Sequence, residues 1–245
     1  LAEFLRHSPR AGGFVAAFGT HSVPDFDPEI LGLDPARWPQ PDWSRLSGDP
    51  DGELEVLLEL FPPDDHPDLA TWADDTRAHQ ADTLRLQIEA MRRRKYRPCG
   101  GFAIDRLLDG EPCVSGSLLD HERRPKPAHA AVTAACATTI VVADPLPERL
   151  RRGATLRTDV AVVHDGREAL GLTRVDALLS LGSGSAATET LTWAWEGEVG
   201  ADSSIHVGRI EWPLGDVTGD VELELVLSAG GVTAANRYAS TVAGV

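Results

Sequence analysis

The sequence predicts an α/β segment followed by an all-β domain, and a change in residue pattern carries that prediction. Ahead of Asp144-Pro145-Leu146-Pro147, short apolar runs bounded by glycines alternate with stretches of helical spacing. Beyond those prolines, apolar and polar residues alternate one by one, the grammar of half-buried antiparallel strands. A division near Pro147 therefore separates a first domain, residues 1–147, from a second, residues 148–245.

Taken in order, Leu1, Phe4 and Leu5 have helical spacing, and Pro9 ends that helix. The run from Gly12 to Gly19 is short and apolar between glycines, the pattern of a strand buried on both faces of a parallel sheet. Residues 24–67 hold many prolines and aspartates together with Trp38, Trp43 and Phe61. A connection of that length is expected to be functional, for instance as a lid. From Pro67 to Arg97, the positions Leu69, Trp72, Thr76, Gln80, Leu84, Ile88 and Met91 trace one helical stripe. Arg92-Arg93-Arg94-Lys95 closes it; cations in a last turn complement the helix dipole, so a solvated helix end is expected there. After Pro98, Gly100 to Asp109 reads as another strand, and Pro127 to about Val142 as an alanine-rich helix. Strand, helix, strand, helix is the rhythm of a parallel sheet, although a closed barrel needs eight such units.

In the second half, Val221, Leu223, Leu225 and Leu227 alternate with Glu222 and Glu224, and Leu191, Trp193 and Trp195 share one face. Turn signals at Asp165-Gly166, Gly182-Ser183-Gly184, Gly215-Asp216 and Gly230-Gly231 recur through the segment, the rhythm of an immunoglobulin-type β-sandwich of about 95 residues. Trp193, Trp195 and Trp212 are expected to fill its core.

Composition narrows the function classes. The chain has 245 residues, 42% hydrophobic and 25% charged, which suits an ordinary globular protein with material for a real core. Lys and Arg total 23 against 38 Asp and Glu, so the net charge of −15 repels a nucleic-acid backbone or an anionic membrane surface and favours neutral or basic partners. Cys99, Cys113 and Cys136 form neither a C-x-x-C pair nor a metal-ligand spacing. They read as buried hydrophobes in a reducing compartment, with a Cys99–Cys113 bridge as the alternative. There is no run of about 18 apolar residues, and the first residues lack the apolar region of a signal peptide, so a cytoplasmic location is expected. The chain opens at Leu1 inside a helical pattern, which sets the expectation that its native start lies elsewhere. No G-x-S-x-G elbow, phosphate loop or H-E-x-x-H motif occurs, and no metal or cofactor is expected.

Several blocks carry a resemblance to a known family. F-V-A-A-F-G-T-H-S-V-P (Phe14 to Pro24) resembles the seventh barrel strand of the β-mannosidase and β-galactosidase group, glycoside hydrolase family 2, written F-V-[ST]-E-[FY]-G, in which the glutamate is the nucleophile. M-R-R-R-K-Y-R-P-C-G-G-F (Met91 to Phe102) resembles the R-R-x-K-Y-R-P-T-G-G that leads into the eighth strand. S-G-S-L-L-D-H-E-R-R-P-K-P (Ser115 to Pro127) resembles the T-W-S-V-L-D-H-x-R-x-P-K that follows. A-D-S-S-I-H-V-G (Ala201 to Gly208) and N-R-Y (Asn236 to Tyr238) are similar to the sandwich that trails the barrel in bacterial β-mannosidase-like proteins. The resemblance covers essentially the whole chain. It implies a partial (β/α)8 barrel, strands seven and eight with their helices, followed by an immunoglobulin-like β-sandwich.

The residues of the family's site carry over only in part. Ala17 stands at the nucleophile position, and a methyl group cannot attack an anomeric carbon. Gly116 replaces the tryptophan of T-W-S, part of the wall around the cleaved sugar. The family's proton donor belongs to the fourth strand, upstream of Leu1. A retaining glycosidase needs two carboxyl groups about 5 Å apart, and this chain supplies neither. Substrate-pocket candidates are His21, at a position where the family often has glutamine, Asp105, Asp109, Gly116 and Trp38. Asp109 matches an aspartate after the eighth strand, yet an Asp-Gly pair is also simply a good turn. Asp105 and Arg106 form a candidate internal ion pair near Gly116, and Asp25 and Asp27 are substitute carboxylates on the side where barrel sites form. Trp38 and Trp43 either stack on sugar rings or anchor their loop.

The resemblance thus implies the C-terminal portion of a β-mannosidase-like glycoside hydrolase, inactive as it stands. Its partners would be a β-linked saccharide and the missing N-terminal barrel portion, in cis or as a separate subunit. The alternative is a non-catalytic pseudoenzyme serving as a carbohydrate-binding or scaffold module.

Overall fold

The computed structural model describes residues 13–24, 33–46, 53–183, 186–216 and 218–243. The helix expected at the start of the chain, and Asp25 and Asp27, lie outside them. Contacts divide the chain into two compact units: one comprises Leu1–Met91 and Tyr96–Cys136, the other Arg92–Lys95 and Ala137–Val245.

The first unit holds strand β1 (Val15–Ala16), helix α1 (Glu53–Leu60), helix α2 (Leu69–Arg93), strand β2 (Phe102–Ala103) and helix α3 (Pro127–Ala135). β1 and β2 pair in parallel, Val15 opposite Phe102 and Ala16 opposite Ala103, with α2 in the connection between them. Val15 N donates to Gly101 O at 3.1 Å and Ala17 N to Ala103 O at 3.2 Å. One face of the pair is covered, by Ile88 and Met91 of α2 with Cys99 and Ala135, against which Val15, Phe18, Phe102 and Ile104 pack. The expectation of a strand buried on both faces does not hold. Phe14 is 64% exposed, and Ala16, Ala17 and Ala103 are also exposed, because a two-stranded sheet is covered here on one side only.

α2 buries its predicted stripe in full. Leu69, Trp72, Thr76, Gln80, Leu84, Ile88 and Met91 are each 3% exposed or less, since their spacing keeps them on one face through about six turns of about 3.6 residues. The stretch ahead of α2 is built rather than open. Its described residues include α1 and three short 3-10 turns, Pro35–Arg37, Trp43–Arg45 and Pro63–Asp65. Trp38, Trp43 and Trp72 meet with ring centroids 5.0 to 6.1 Å apart, over a core of Leu33, Leu46, Leu57 and Val114. The indoles of Trp38 and Trp72 donate to His66 O and Phe61 O, both at 2.9 Å. Three large aromatic side chains bury enough apolar area to organise a proline-rich connection.

The alanine-rich helix stops at Ala135, and Thr139–Ala143 is strand β3, buried at every position. Four β-branched residues in a row, Thr139 to Val142, favour the strand over further helix. β3 pairs with the second unit, so the units divide after Cys136, ahead of the prolines at 145 and 147.

The second unit continues with β4 (Arg149–Arg151), β5 (Thr155–His164), β6 (Gly171–Ser183), β7 (Ala186–Val199), β8 (Ser203–Pro213), β9 (Gly219–Ala229) and β10 (Val232–Ala243). They form a five-stranded sheet in the order β4-β10-β9-β6-β7 and a three-stranded sheet in the order β3-β5-β8, antiparallel except for β4 beside β10. Val221, Leu223, Leu225 and Leu227 of β9 are fully buried, as their alternation with glutamates requires, and Trp212 is buried. Asn236 and Tyr238 of β10 tie the two sheets: Asn236 Nδ2 donates to Val141 O at 3.1 Å, and Ala143 N donates to Tyr238 Oη at 3.0 Å. β9 turns into β10 through Gly230 and Gly231, at φ of 50° and 91°, values that make a two-residue hairpin loop a glycine position.

Of Arg92–Lys95, expected to be solvated, Arg92, Arg93 and Lys95 are ion-paired within this unit. Arg92 is buried and meets Asp165 at 2.8 Å; Lys95 meets Asp165 at 2.5 Å and also Asp202, and Arg93 meets Asp144. Burial works against the Lys95 ammonium, but its bonds to Asp165 and Asp202 outweigh that and hold its pKa above the ordinary value.

Trp193 and Trp195 are half-buried rather than central, on the edge strand β7. A β-bulge shifts the register of β5 and β8 beside Gly208, and a Cβ added to Gly208 would stand 2.7 Å from Trp193 Cζ2. Gly208→Ala should therefore cost about 1–3 kcal/mol by overpacking. Trp193→Leu in the same chain should recover part of that loss, as read by urea denaturation.

Candidate functional site

Two of the motif blocks meet at one antiparallel bridge. Ser22 N donates to Ser115 O at 3.0 Å and Ser115 N to Ser22 O at 3.1 Å, joining the segment after β1 to the segment before α3. Side chains alternate on either side of such a bridge. On one side, Ser22, Ser115 and Ser117 are fully buried with Gln80, Asp109 and Lys126. Along the other side, Val23 and Val114 enter the tryptophan core, and His21 lies beside Gly116.

The buried side is a closed polar network. The Asp109 carboxylate accepts from Ser115 Oγ at 2.9 Å and Ser117 Oγ at 2.6 Å on its Oδ2, which also faces Lys126 Nζ in an ion pair at 3.7 Å. Asp109 Oδ1 is buried without a hydrogen-bond partner. Lys126 Nζ donates to Ser115 Oγ at 3.2 Å and to Ser115 O at 3.4 Å. Gln80, from the middle of the α2 stripe, donates to Thr20 O and Ser117 O at 3.2 Å each and accepts from Ser22 Oγ at 2.7 Å. Burial holds the Lys126 ammonium below the ordinary lysine range, in spite of Asp109 beside it. Burial, and next the Asp109 charge, push the Cys113 thiol up to about 11. Asp120 is buried as well. Burial alone would raise its pKa, but hydrogen bonds from Arg124, through its backbone N–H and its guanidinium, and from Glu122 N hold it below the ordinary value.

The candidates separate accordingly. Ala17 follows the last residue of β1, at the carboxyl end of the parallel pair, with a left-handed backbone at φ 56°. His21 and Gly116 are brought together, both half-buried. Asp109 is no surface turn residue but the hub of the buried network. Asp105 is exposed, whereas Arg106 is half-buried. Trp38 is held in the aromatic core by two neighbouring indoles and its bond to His66. Ser22, Ser115, Ser117 and Lys126 escaped sequence reasoning, although the S-x-S and P-K-P spacing of the third motif block carries three of them, and Gln80 was placed only on the helical stripe. Cys99, Cys113 and Cys136 stand outside any disulfide among the described residues; the first two are buried as expected, whereas Cys136 is exposed. Among the described residues, no cluster of His, Cys, Asp and Glu is arranged to hold a metal, and no helix is long and apolar enough to cross a membrane. A shallow groove on the outer face of β6, β7 and β9 has its charges already paired, Arg174 with Asp176 and Arg237 with Glu224.

No family model and no curated protein matches the sequence. Solved structures do. The fold matches that of a β-D-mannosidase from Dictyoglomus thermophilum with a TM-score of 0.74 at 18% identity, over 97% of this chain and 28% of that one. It also matches the exo-chitosanase CsxA from Amycolatopsis orientalis with a TM-score of 0.55 at 16% identity, over 73% of this chain and 20% of that one. The chain thus resembles glycoside hydrolase family 2 proteins in fold as well as in motifs. It spans less than a third of the length of either of these two proteins.

Two expectations follow from the network. Lys126→Met leaves a buried carboxylate without its cation and should cost about 3–5 kcal/mol in urea denaturation, and adding Asp109→Asn should restore part of the loss. Cys113 is neutral in folded and unfolded chains below its ordinary value of 9.0. Above it the unfolded thiol ionises first, so this group's contribution to stability falls between 9.0 and about 11. Lys126 contributes with the opposite sign, so the clean comparison is Cys113→Ala with the parent, both retaining Lys126. The variant should lose less stability across that interval.

Proposed function

We propose that the chain is the C-terminal portion of a β-mannosidase-like glycoside hydrolase, catalytically silent as it stands. It would carry strands seven and eight of a (β/α)8 barrel with their helices, followed by an immunoglobulin-like sandwich. The observation that carries this reading is the parallel pairing of β1 with β2, which puts Ala17 at a strand's carboxyl end, where barrel enzymes place their catalytic groups. Phe14 at 64% exposed, Leu107 at 62% and Leu108 at 41% support a second part of the reading. Phe14 immediately precedes β1 and the two leucines follow β2 in the chain, and exposed apolar side chains of this kind are what further barrel strands would cover, in cis or from a separate subunit. The ligand is a β-linked saccharide, and His21 and Gly116 belong to its rim. Free thiols at Cys99, Cys113 and Cys136 suit a cytoplasmic location.

Chemically, the arrangement lacks what double displacement needs. An alanine methyl can neither form a glycosyl ester nor stabilise an oxocarbenium ion, so only binding remains to this part of the site. Restoring the carboxylate tests the reading. Assembled with the remaining barrel strands, the chain bearing Ala17→Glu should hydrolyse an aryl β-mannoside at least about 10³-fold faster than the same assembly with Ala17. No gain in a folded assembly would overturn it.

A further inference from the structure

We propose that the outer edge of β7 is a docking site for an extended peptide in which apolar residues alternate with lysine or arginine, taken up as a sixth strand of the five-stranded sheet. The inference concerns the second unit alone and goes beyond the glycosidase reading, on which it does not depend.

The two sheets end in four strands, β4 and β7 on one, β3 and β8 on the other. Three of these ends are ill suited to accept a further strand. β4 has three residues and β3 five, while β8 is interrupted by the bulge beside Gly208 and finishes at Pro213. β7 differs. From Glu189 to Val199 it runs in unbroken antiparallel register with β6, and among the described residues it pairs with no other strand. That stretch, E-T-L-T-W-A-W-E-G-E-V, holds no proline and no cation, the residues that commonly keep an edge from pairing. Alternate residues of an edge strand turn both N–H and C=O away from the sheet, so this edge offers a ready ladder.

Its two faces state the chemistry of the partner. On the core side, Leu191, Trp193 and Trp195 stand opposite Leu179, Ala177 and Val175 of β6. The β6 residues, flanked by β9 on their other side, are 4% exposed or less, whereas the three on β7 are half-buried. Apolar side chains of an added strand would lie against them and complete the row. On the opposite side, Ala194, Glu196 and Glu198 are exposed. Arg174 of β6 answers Glu196 and Asp176 together, one cation for two carboxylates, so this side keeps an excess of negative charge in a chain whose net charge is −15. The excess sets two copies of the edge against each other and favours a basic partner. Successive residues of the incoming strand thus have opposite tasks, apolar toward the sandwich core and cationic beside the glutamates. Main-chain bonds supply affinity, and the alternating side chains supply selectivity.

A short synthetic peptide repeating Lys-Val-Thr-Val, titrated into the whole chain beside a counterpart repeating Glu-Val-Thr-Val, tests the site. The lysine peptide should bind saturably, lose affinity as salt is added, and slow the exchange of alternate amide hydrogens between Thr190 and Glu198. The glutamate peptide should bind at least about 10-fold more weakly. Ala194→Lys and Glu198→Lys, both at exposed positions that leave the core row intact, should keep the parent's thermal midpoint and each weaken the lysine peptide about 5-fold. Binding of neither peptide, equal binding of both, or binding that leaves the β7 amides unprotected would overturn the proposal. A dimer of the free chain that Ala194→Lys dissociates would overturn it as well, by making a second copy the occupant. No sugar and no residue of the first unit enters the experiment, so its failure is distinct from failure of the hydrolysis assay.

Discussion

A single ammonium group, that of Lys126, sits in the interior of the first unit, and the local architecture follows from the need to keep it hydrated by protein atoms. Removing an ion from water costs several kcal/mol after relaxation. The compensation comes from one carboxylate, a serine hydroxyl and backbone carbonyls on separate stretches of chain. Each of those stretches is thereby fixed: the segment after β1 through Ser22, the loop at Asp109, the segment at Ser115 and the N-terminal end of α3. The ion pair at 3.7 Å is longer than a hydrogen bond, and burial still depresses the lysine's proton affinity. Its contribution is best understood as specificity of arrangement. A hydrophobic replacement of both partners would satisfy packing without choosing which segments must meet.

The second unit is organised by a different constraint, the fit of large aromatic groups against bare backbone. Trp193 lies on Gly208 at the β-bulge, and Trp195 lies on Gly197 of its own strand. Glycine is needed at both places for the absence of a side chain. The bulge lies in the register of β5 and β8 beside Gly208, the glycine against which Trp193 of the edge strand β7 packs.

Much of this architecture was legible in the residues. The stripe from Leu69 to Met91 predicted both the helix and its buried face, because helical periodicity leaves little freedom once seven positions agree. The alternation from Val221 to Leu227 did the same for β9. Apart from Gln80, which the helical stripe placed on the buried face, the polar network was not legible, since serine, aspartate and lysine ordinarily read as surface. Only the contacts of the folded chain reveal that Asp109 and Lys126 share a buried site. The basic run from Arg92 to Lys95 misled for a related reason: its acidic partners are Asp144, Asp165 and Asp202, at least 51 residues away in sequence. The exposure of Phe14 was invisible too, because a short apolar run looks the same whether or not both of its faces are covered. At the site, the motifs located Ala17, His21 and Gly116, while the contact between the last two emerged only from the bridge.

Helix α2 has a further consequence for how the first unit comes apart. Its stripe enters the tryptophan core at Leu69, Trp72 and Ala73, a middle cluster at Leu84, and the core beneath the parallel pair at Ile88 and Met91, with Gln80 in the polar network between them. None of these clusters can melt while the rod that threads them stays formed, and the rod has little reason to persist once any of them is lost. Amide hydrogens along α2 should accordingly exchange through one concerted opening rather than through separate local fluctuations, making this half of the chain a single cooperative folding unit.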